Sequence, residues 1–158
     1  MFVARNYVEY IHPQADSTIR DIYDNKPGNK IVVKGRTGKR KYRIDSLWGY
    51  MPKDGTGRRI HDQDIYKIVQ VDTMCIYQRF VSSGKYRHHQ YYYSLGLDGD
   101  INKLGIRELK KIAGSPIPFI SVVKKEMKWY EDLDRYDKHA GSYKIVSLFK
   151  TWVERSCV

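Results

Sequence analysis

From Ile31 to Leu95 apolar residues recur largely at every second position, in short runs parted by glycine-containing turns. Beyond Asp98 they recur every third or fourth position. The first spacing is that of strands with one wet face, the second that of amphipathic helices. The clearest pair of strands is Ile31–Lys34 and Arg40–Ile44, joined by a tight turn at Gly35–Lys39 that holds two glycines. On the returning arm Tyr42 and Ile44 alternate with Lys41 and Arg43, which turns Tyr42 toward a core. Asp45-Ser46 begins a second turn that brings Leu47 and Trp48 inward. Trp48–Met51 and Arg58–Ile60 then form another hairpin, across an Asp54-Gly55 pair suited to positive φ. Tyr66–Gln70, Thr73–Phe80 and His89–Gly96 read as further strands, with Val81–His89 as the loop between the last two. Ahead of the first hairpin, Phe2–Ile11 reads as an edge strand or packed arm. Ser17–Tyr23 reads as a brief helix or turn, and Asp24–Lys30 as a loop.

The helical part starts with Ile106, Leu109 and Ile112, spaced by threes and ended at Ala113-Gly114. Ser115-Pro116 suits the start of the next helix, with Ile120, Val123, Met127 and Tyr130 inward and Lys124, Lys125 and Lys128 outward. Leu133 and Tyr136 add a short helical piece. Ser142 is placed to cap a last helix whose apolar face is Ile145, Leu148, Phe149, Trp152 and Val153. Strands first and helices second is an α+β order. The expected fold is a small, strongly bent antiparallel sheet or SH3-like barrel over residues 28–96, followed by a C-terminal helical layer over 104–153. At 158 residues the chain is expected to be one domain.

Charge alters this picture more than composition does. The net charge is +11, divided as +7 over residues 1–60, −1 over 61–100 and +5 over 101–158. Eight basic residues and no acid lie between Lys26 and Arg43. Such an excess attracts polyanions: nucleic acid, an acidic protein or an anionic lipid surface. Lys34, Arg36, Lys39, Arg40, Lys41 and Arg43 of the hairpin, with Lys124, Lys125 and Lys128 of the helical part, are the candidate polyanion contacts. The same cations also suit the wet face of a hairpin, where they keep an edge from pairing wrongly. Fourteen tyrosines suggest a second kind of surface. Tyr91, Tyr92, Tyr93, Trp129 and Tyr130 are candidates for an aromatic groove, or else cover the sheet with their hydroxyls in water.

Chemistry beyond binding finds little support. Gly35, Gly38 and Lys39 are too closely spaced for a phosphate-cradling loop, and both flanks read as strands. Asp98, Asp100 and Asn102 fit the first positions of a calcium loop, but Lys103 and Leu109 stand where glycine and glutamate are needed. His88 and His89 are adjacent on a strand and face opposite ways. A metal-dependent nuclease would have to assemble His61, Asp62, Asp64, His88 or Glu108 in space. Cys75 sits in an apolar run and Cys157 near the end, too few and too far apart for a metal cluster. No cofactor is indicated. No apolar run is long enough to span a membrane, and the first residues lack the apolar core of a secretory signal. A cytoplasmic location is expected if the sequence is full-length, and an exported one if it is a trimmed mature form.

The run KYRIDSLWGYMPKDGTGRRI, with CIYQR, QYYYSLGLDGDINKLGIRELKK and DKHAGSYKI further on, resembles uncharacterised proteins of Bacteroidetes over about residues 30–150. The resemblance implies a coherent domain family and no particular activity. The function expected from the residues is a non-enzymatic binding or interaction protein with a basic surface, its partner an unknown protein or polyanion. Nucleic-acid binding through the hairpin is the alternative, and the metal-dependent nuclease comes third.

Overall fold

The computed structural model describes residues 1–25, 29–113, 117–127 and 133–156. The fold is α+β: a strongly curled, open antiparallel sheet comes first along the chain and helices follow. The bent-sheet form of the expectation holds, and the strands do not close into a barrel. The chain divides into two compact units, Met1–Val69 and Gln70–Val158, so the boundary lies within the segment expected as continuous sheet.

In the first unit, β1 (Phe2–Ala4) leads into α1 (Tyr7–Ile11), then β2 (Ile19–Asn25), β3 (Lys30–Gly35) and β4 (Lys39–Arg43). A 3-10 turn (Ile44–Ser46) precedes β5 (Gly49–Met51), β6 (Arg58–His61) and β7 (Asp64–Gln70). β2, β3 and β4 form one antiparallel sheet in that order, and β1, β5, β6 and β7 pair in that order in another. Ile22, Ile31, Val33, Ile44, Leu47, Tyr50 and Ile60 form the core, and Tyr42 packs against it. The expected turn at Gly35–Lys39 is a hairpin turn: Gly35 N–H donates to the Gly38 carbonyl at 2.8 Å, with Gly38 at φ 150°. The second hairpin also forms, pairing Gly49 with Arg59 and Tyr50 with Arg58. A Cβ at residue 49 would lie 2.4 Å from the Arg58 carbonyl oxygen, so glycine is what allows this close approach.

Two segments of this unit depart from expectation. Phe2–Ile11 is a strand and then a helix, because Asn6 caps α1 by accepting from Glu9 N–H, while Glu9 accepts from Arg5 N–H. That exchange is close to a capping box. Ser17–Tyr23 is not helical: it belongs to β2. The spacing of Ile19 and Ile22 looked like a helical step. A bulge between Ile19 and Asp21 breaks the two-residue alternation, so both isoleucines reach the core from a strand.

The second unit holds β8 (Met74–Ser83), β9 (Tyr86–Leu95), β10 (Asn102–Lys103), α2 (Ile106–Leu109), α3 (Phe119–Glu126), β11 (Tyr136–Asp137), β12 (Ser142–Tyr143) and α4 (Lys144–Ser156). β8 and β9 pair over their full length, from Met74↔Leu95 to Ser83↔Tyr86. The expected loop Val81–His89 is therefore the outer end of this hairpin, turned by Gly84 at φ 59° and Lys85. Its side chains are largely exposed on both faces, which is why no apolar alternation marked it.

α3 starts at Phe119 after Pro118, and the expected start at Ser115-Pro116 lies outside the described residues. Tyr136 is in β11, not in a helical piece. Ser142 is not a helix cap. It pairs in β12, and its Oγ accepts from Gln70 Nε2 at 2.8 Å while Gln70 Oε1 accepts from Tyr143 N–H at 2.9 Å. Phe119, Val123, Ile145, Val146, Phe149 and Trp152 are buried between α3 and α4, with Phe119 edge-on to Phe149 at 5.1 Å. Cys75 is buried with its thiol directed at the Asp72 carbonyl; Cys157 lies outside the described residues. Among the described residues no helix is long and apolar enough to cross a membrane.

Burial, chiefly, pushes the hydroxyls of Tyr50, Tyr93 and Tyr143 up to about 12. The fold thus favours their neutral form. That contribution to stability is complete below the ordinary tyrosine value of about 10 and is lost as the pH rises toward about 12. Ultraviolet absorbance titration should find these hydroxyls ionising last, together with loss of the folded signal. Ionisation of every tyrosine by about pH 10 with the fold intact would contradict this burial.

Candidate functional site

The pairing of β3 with β4 sorts the hairpin's side chains. Lys30 lies opposite Arg43, Val32 opposite Lys41 and Lys34 opposite Lys39; Ile31 and Val33 lie opposite Tyr42 and Arg40. Side chains directly across a ladder share a face, and residues two apart on a strand do too. The second set, with Ile22 of β2, faces the core. The first set therefore brings Lys30, Lys34, Lys39, Lys41 and Arg43 onto the opposite face, where β2 adds Asp21, Tyr23 and Asn25. Residues two apart on a strand are about 6.6 Å apart, and neighbouring strands about 4.8 Å. Five cations thus share a patch of three rows, each row crossing three strands.

Two of them have carboxylate partners. Arg43 donates through Nε and Nη2 to both oxygens of Asp45, at 3.0 and 2.5 Å. That bidentate bond raises the Arg43 pKa above its ordinary value and lowers that of Asp45. Lys34 lies 4.0 Å from an Asp21 oxygen and 4.9 Å from the centre of the Tyr23 ring. Lys30, Lys39, Lys41 and, in the turn, Arg36 are exposed and have no carboxylate partner among the described residues. Val32, in the row Tyr23–Val32–Lys41, is only 3% exposed.

Arg40 stands apart. The alternation puts it on the core side, at a groove of about 650 Å³ whose lining also includes Phe2, Val3, Asp16, Val33 and Tyr42. Asp16 is held below the usual carboxylate range by hydrogen bonds from the Thr18 hydroxyl and N–H, with a smaller effect from Arg40.

Of the other candidates, Lys124 and Lys125 are exposed on α3, while Lys128, Trp129 and Tyr130 lie outside the described residues. Tyr93 is buried. Tyr91 and Tyr92 are half-buried, Tyr91 accepting from Gln78 Nε2 and Tyr92 donating to Gln90 Oε1. The exposed aromatics of the second unit are instead Phe80, Tyr86 and Tyr136. Among the described residues no group of three or more His, Cys, Asp or Glu side chains could hold a metal ion. His61 lies 3.5 Å from Asp62.

Sequence reasoning left out two residues of the basic face. Lys30 continues the alternation Lys30-Val32-Lys34 and could have been found from it. Tyr23 was hidden by the bulge in β2. It also left out Arg59, which is buried with its guanidinium 5.3 Å from the centre of the Trp48 ring, in a cluster that includes Tyr7 and Tyr10. There the cation serves packing.

No family model matches the chain, and no curated protein or solved structure matches it significantly.

Proposed function

We propose that the protein is a non-enzymatic binding module that takes an anionic partner on the basic face of β2, β3 and β4. The observation that carries this reading is the β3–β4 register, by which Lys30, Lys39 and Lys41 share one exposed face with Lys34 and Arg43. Several cations held on one rigid sheet act together on a polyanion, whereas an isolated surface pair contributes little. A second reading makes the partner a single-stranded nucleic acid. Tyr23 favours it, since an aromatic ring among cations can stack on a base while the cations follow the backbone.

The test is binding of labelled polyglutamate and of a labelled single-stranded oligonucleotide across a salt series. With the four unpaired cations engaged, the logarithm of the oligonucleotide affinity should fall against log salt with a slope of about −2.8. Preference for the oligonucleotide at equal charge supports the second reading. Affinity for neither probe, or affinity indifferent to salt, overturns the proposal.

A further inference from the structure

β4 ends its sheet, and among the described residues β3 is its one strand neighbour. The pairing has a parity that decides what the open edge offers. Gly35 N–H donates to the Gly38 carbonyl at one end of the ladder, and Ile44 N–H donates to the Asn29 carbonyl at the other. The register between them runs unbroken. Residues that exchange hydrogen bonds alternate along an antiparallel pair. Arg40 and Tyr42 therefore turn their backbone groups to β3, and Lys39, Lys41 and Arg43 turn theirs outward. The Arg43 carbonyl accepts from Ser46 Oγ. Lys39 and Lys41, both exposed, are left with their N–H and C=O groups directed outward.

Such an edge is a template for another strand. The side chains select which strand. Lys39, Lys41 and Arg43 repel a second, equally basic edge and attract acidic side chains. We infer that β4 takes an acidic peptide as a fourth strand of the β2–β3–β4 sheet. This deepens the basic-face reading and rests on it. In an added strand, alternate side chains emerge on opposite faces. One set lies beside Lys39, Lys41 and Arg43 and is acidic. The other lies on the side of Tyr42, Val33 and the groove, and is uncharged. Recognition of this kind combines main-chain hydrogen bonds with alternate side-chain contacts.

The test uses two synthetic peptides of identical composition, one alternating glutamate with valine and threonine, the other with its glutamates clustered. The alternating peptide should slow amide hydrogen exchange at Lys39 and Lys41, and change it little at Arg40 and Tyr42, whose N–H groups are already bonded. Lys41→Ala should weaken its binding by about two- to fivefold, through loss of an exposed charge. Lys41→Pro also removes the outward N–H, and should weaken binding by about a further tenfold. Proline is tolerated on an edge strand where its N–H side faces solvent.

Equal binding of the clustered peptide, with no protection at Lys39 and Lys41, overturns strand addition and leaves the basic face standing. So does binding of the oligonucleotide alone, or protection of these amides by self-association without peptide. If neither peptide, polyglutamate nor oligonucleotide binds, the basic-face reading itself falls. The exchange measurement on the unaltered chain decides the matter even if Lys41→Pro does not fold.

Discussion

Replacing Lys30, Lys39 and Lys41 together with glutamate is expected to weaken binding of polyglutamate or an oligonucleotide by about a hundredfold. The three positions are exposed and make no ion pair among the described residues, so their loss removes no internal contact that holds the sheet. Each substitution both deletes an attraction and creates a repulsion. With about 0.5 kcal/mol for each such exposed interaction, six of them amount to about 3 kcal/mol, or about two powers of ten in affinity. Net charge falls from +11 by two for each substitution, to +5, so the protein stays basic. That is useful, because it separates the face from the total. Lys124→Glu with Lys125→Glu, on the exposed side of α3, supplies the comparison and should change affinity by less than about fivefold. Equal losses from the two variants would mean that net charge, and not the β2–β3–β4 face, attracts the partner.

The largest stability effect is expected from Phe119→Ala. The ring is fully buried, edge-on to Phe149 at 5.1 Å and 5.5 Å from Trp152. The position of Phe149 and Trp152 is fixed from the other side as well, since Trp152 Nε1–H donates to the Ile117 carbonyl at 2.8 Å. A site held this way cannot collapse fully into the space the ring leaves. The loss should therefore be about 3–5 kcal/mol, transfer and cavity together. Urea unfolding followed by tryptophan fluorescence measures it, with Trp152 beside the substituted position. A loss below about 1 kcal/mol would mean that α3 and α4 do not share the tight core described.

The sequence made some of this architecture readable and hid the rest for identifiable reasons. The β3–β4 hairpin was plain because Tyr42 and Ile44 face the core while Lys41 and Arg43 face away, on an unbroken ladder with a two-glycine turn. β2 was hidden because its bulge spaces Ile19 and Ile22 like a helix. The outer part of the β8–β9 hairpin was hidden because its side chains meet solvent on both faces, so polarity carries no period there. Ser142 illustrates a third reason. A serine ahead of an apolar helix is a good cap on local grounds, but here a distant side chain, Gln70, claims its hydroxyl.

The candidate site was legible as a concentration of charge, not as an arrangement. Counting basic residues grouped Arg40 with Lys39 and Lys41, and only the alternation of the strand separates them. It also could not show that Arg43 is held by Asp45, or that Lys34 lies by Asp21 and Tyr23, since the last two come from a strand that was not anticipated. The tyrosine run was the weakest guide. Which of Tyr91, Tyr92 and Tyr93 reaches the surface depends on what covers each face of β9, and their own sequence does not specify that.

The claim that this face is the binding surface is tested most directly by mapping backbone amide shifts during titration with polyglutamate at low salt. The account predicts that the largest changes fall on Tyr23, Lys30, Val32, Lys34, Lys39 and Lys41, and that they vanish in the Lys30, Lys39 and Lys41 triple glutamate variant. Largest changes on α3 or α4, or changes spread evenly over the exposed lysines, would contradict it.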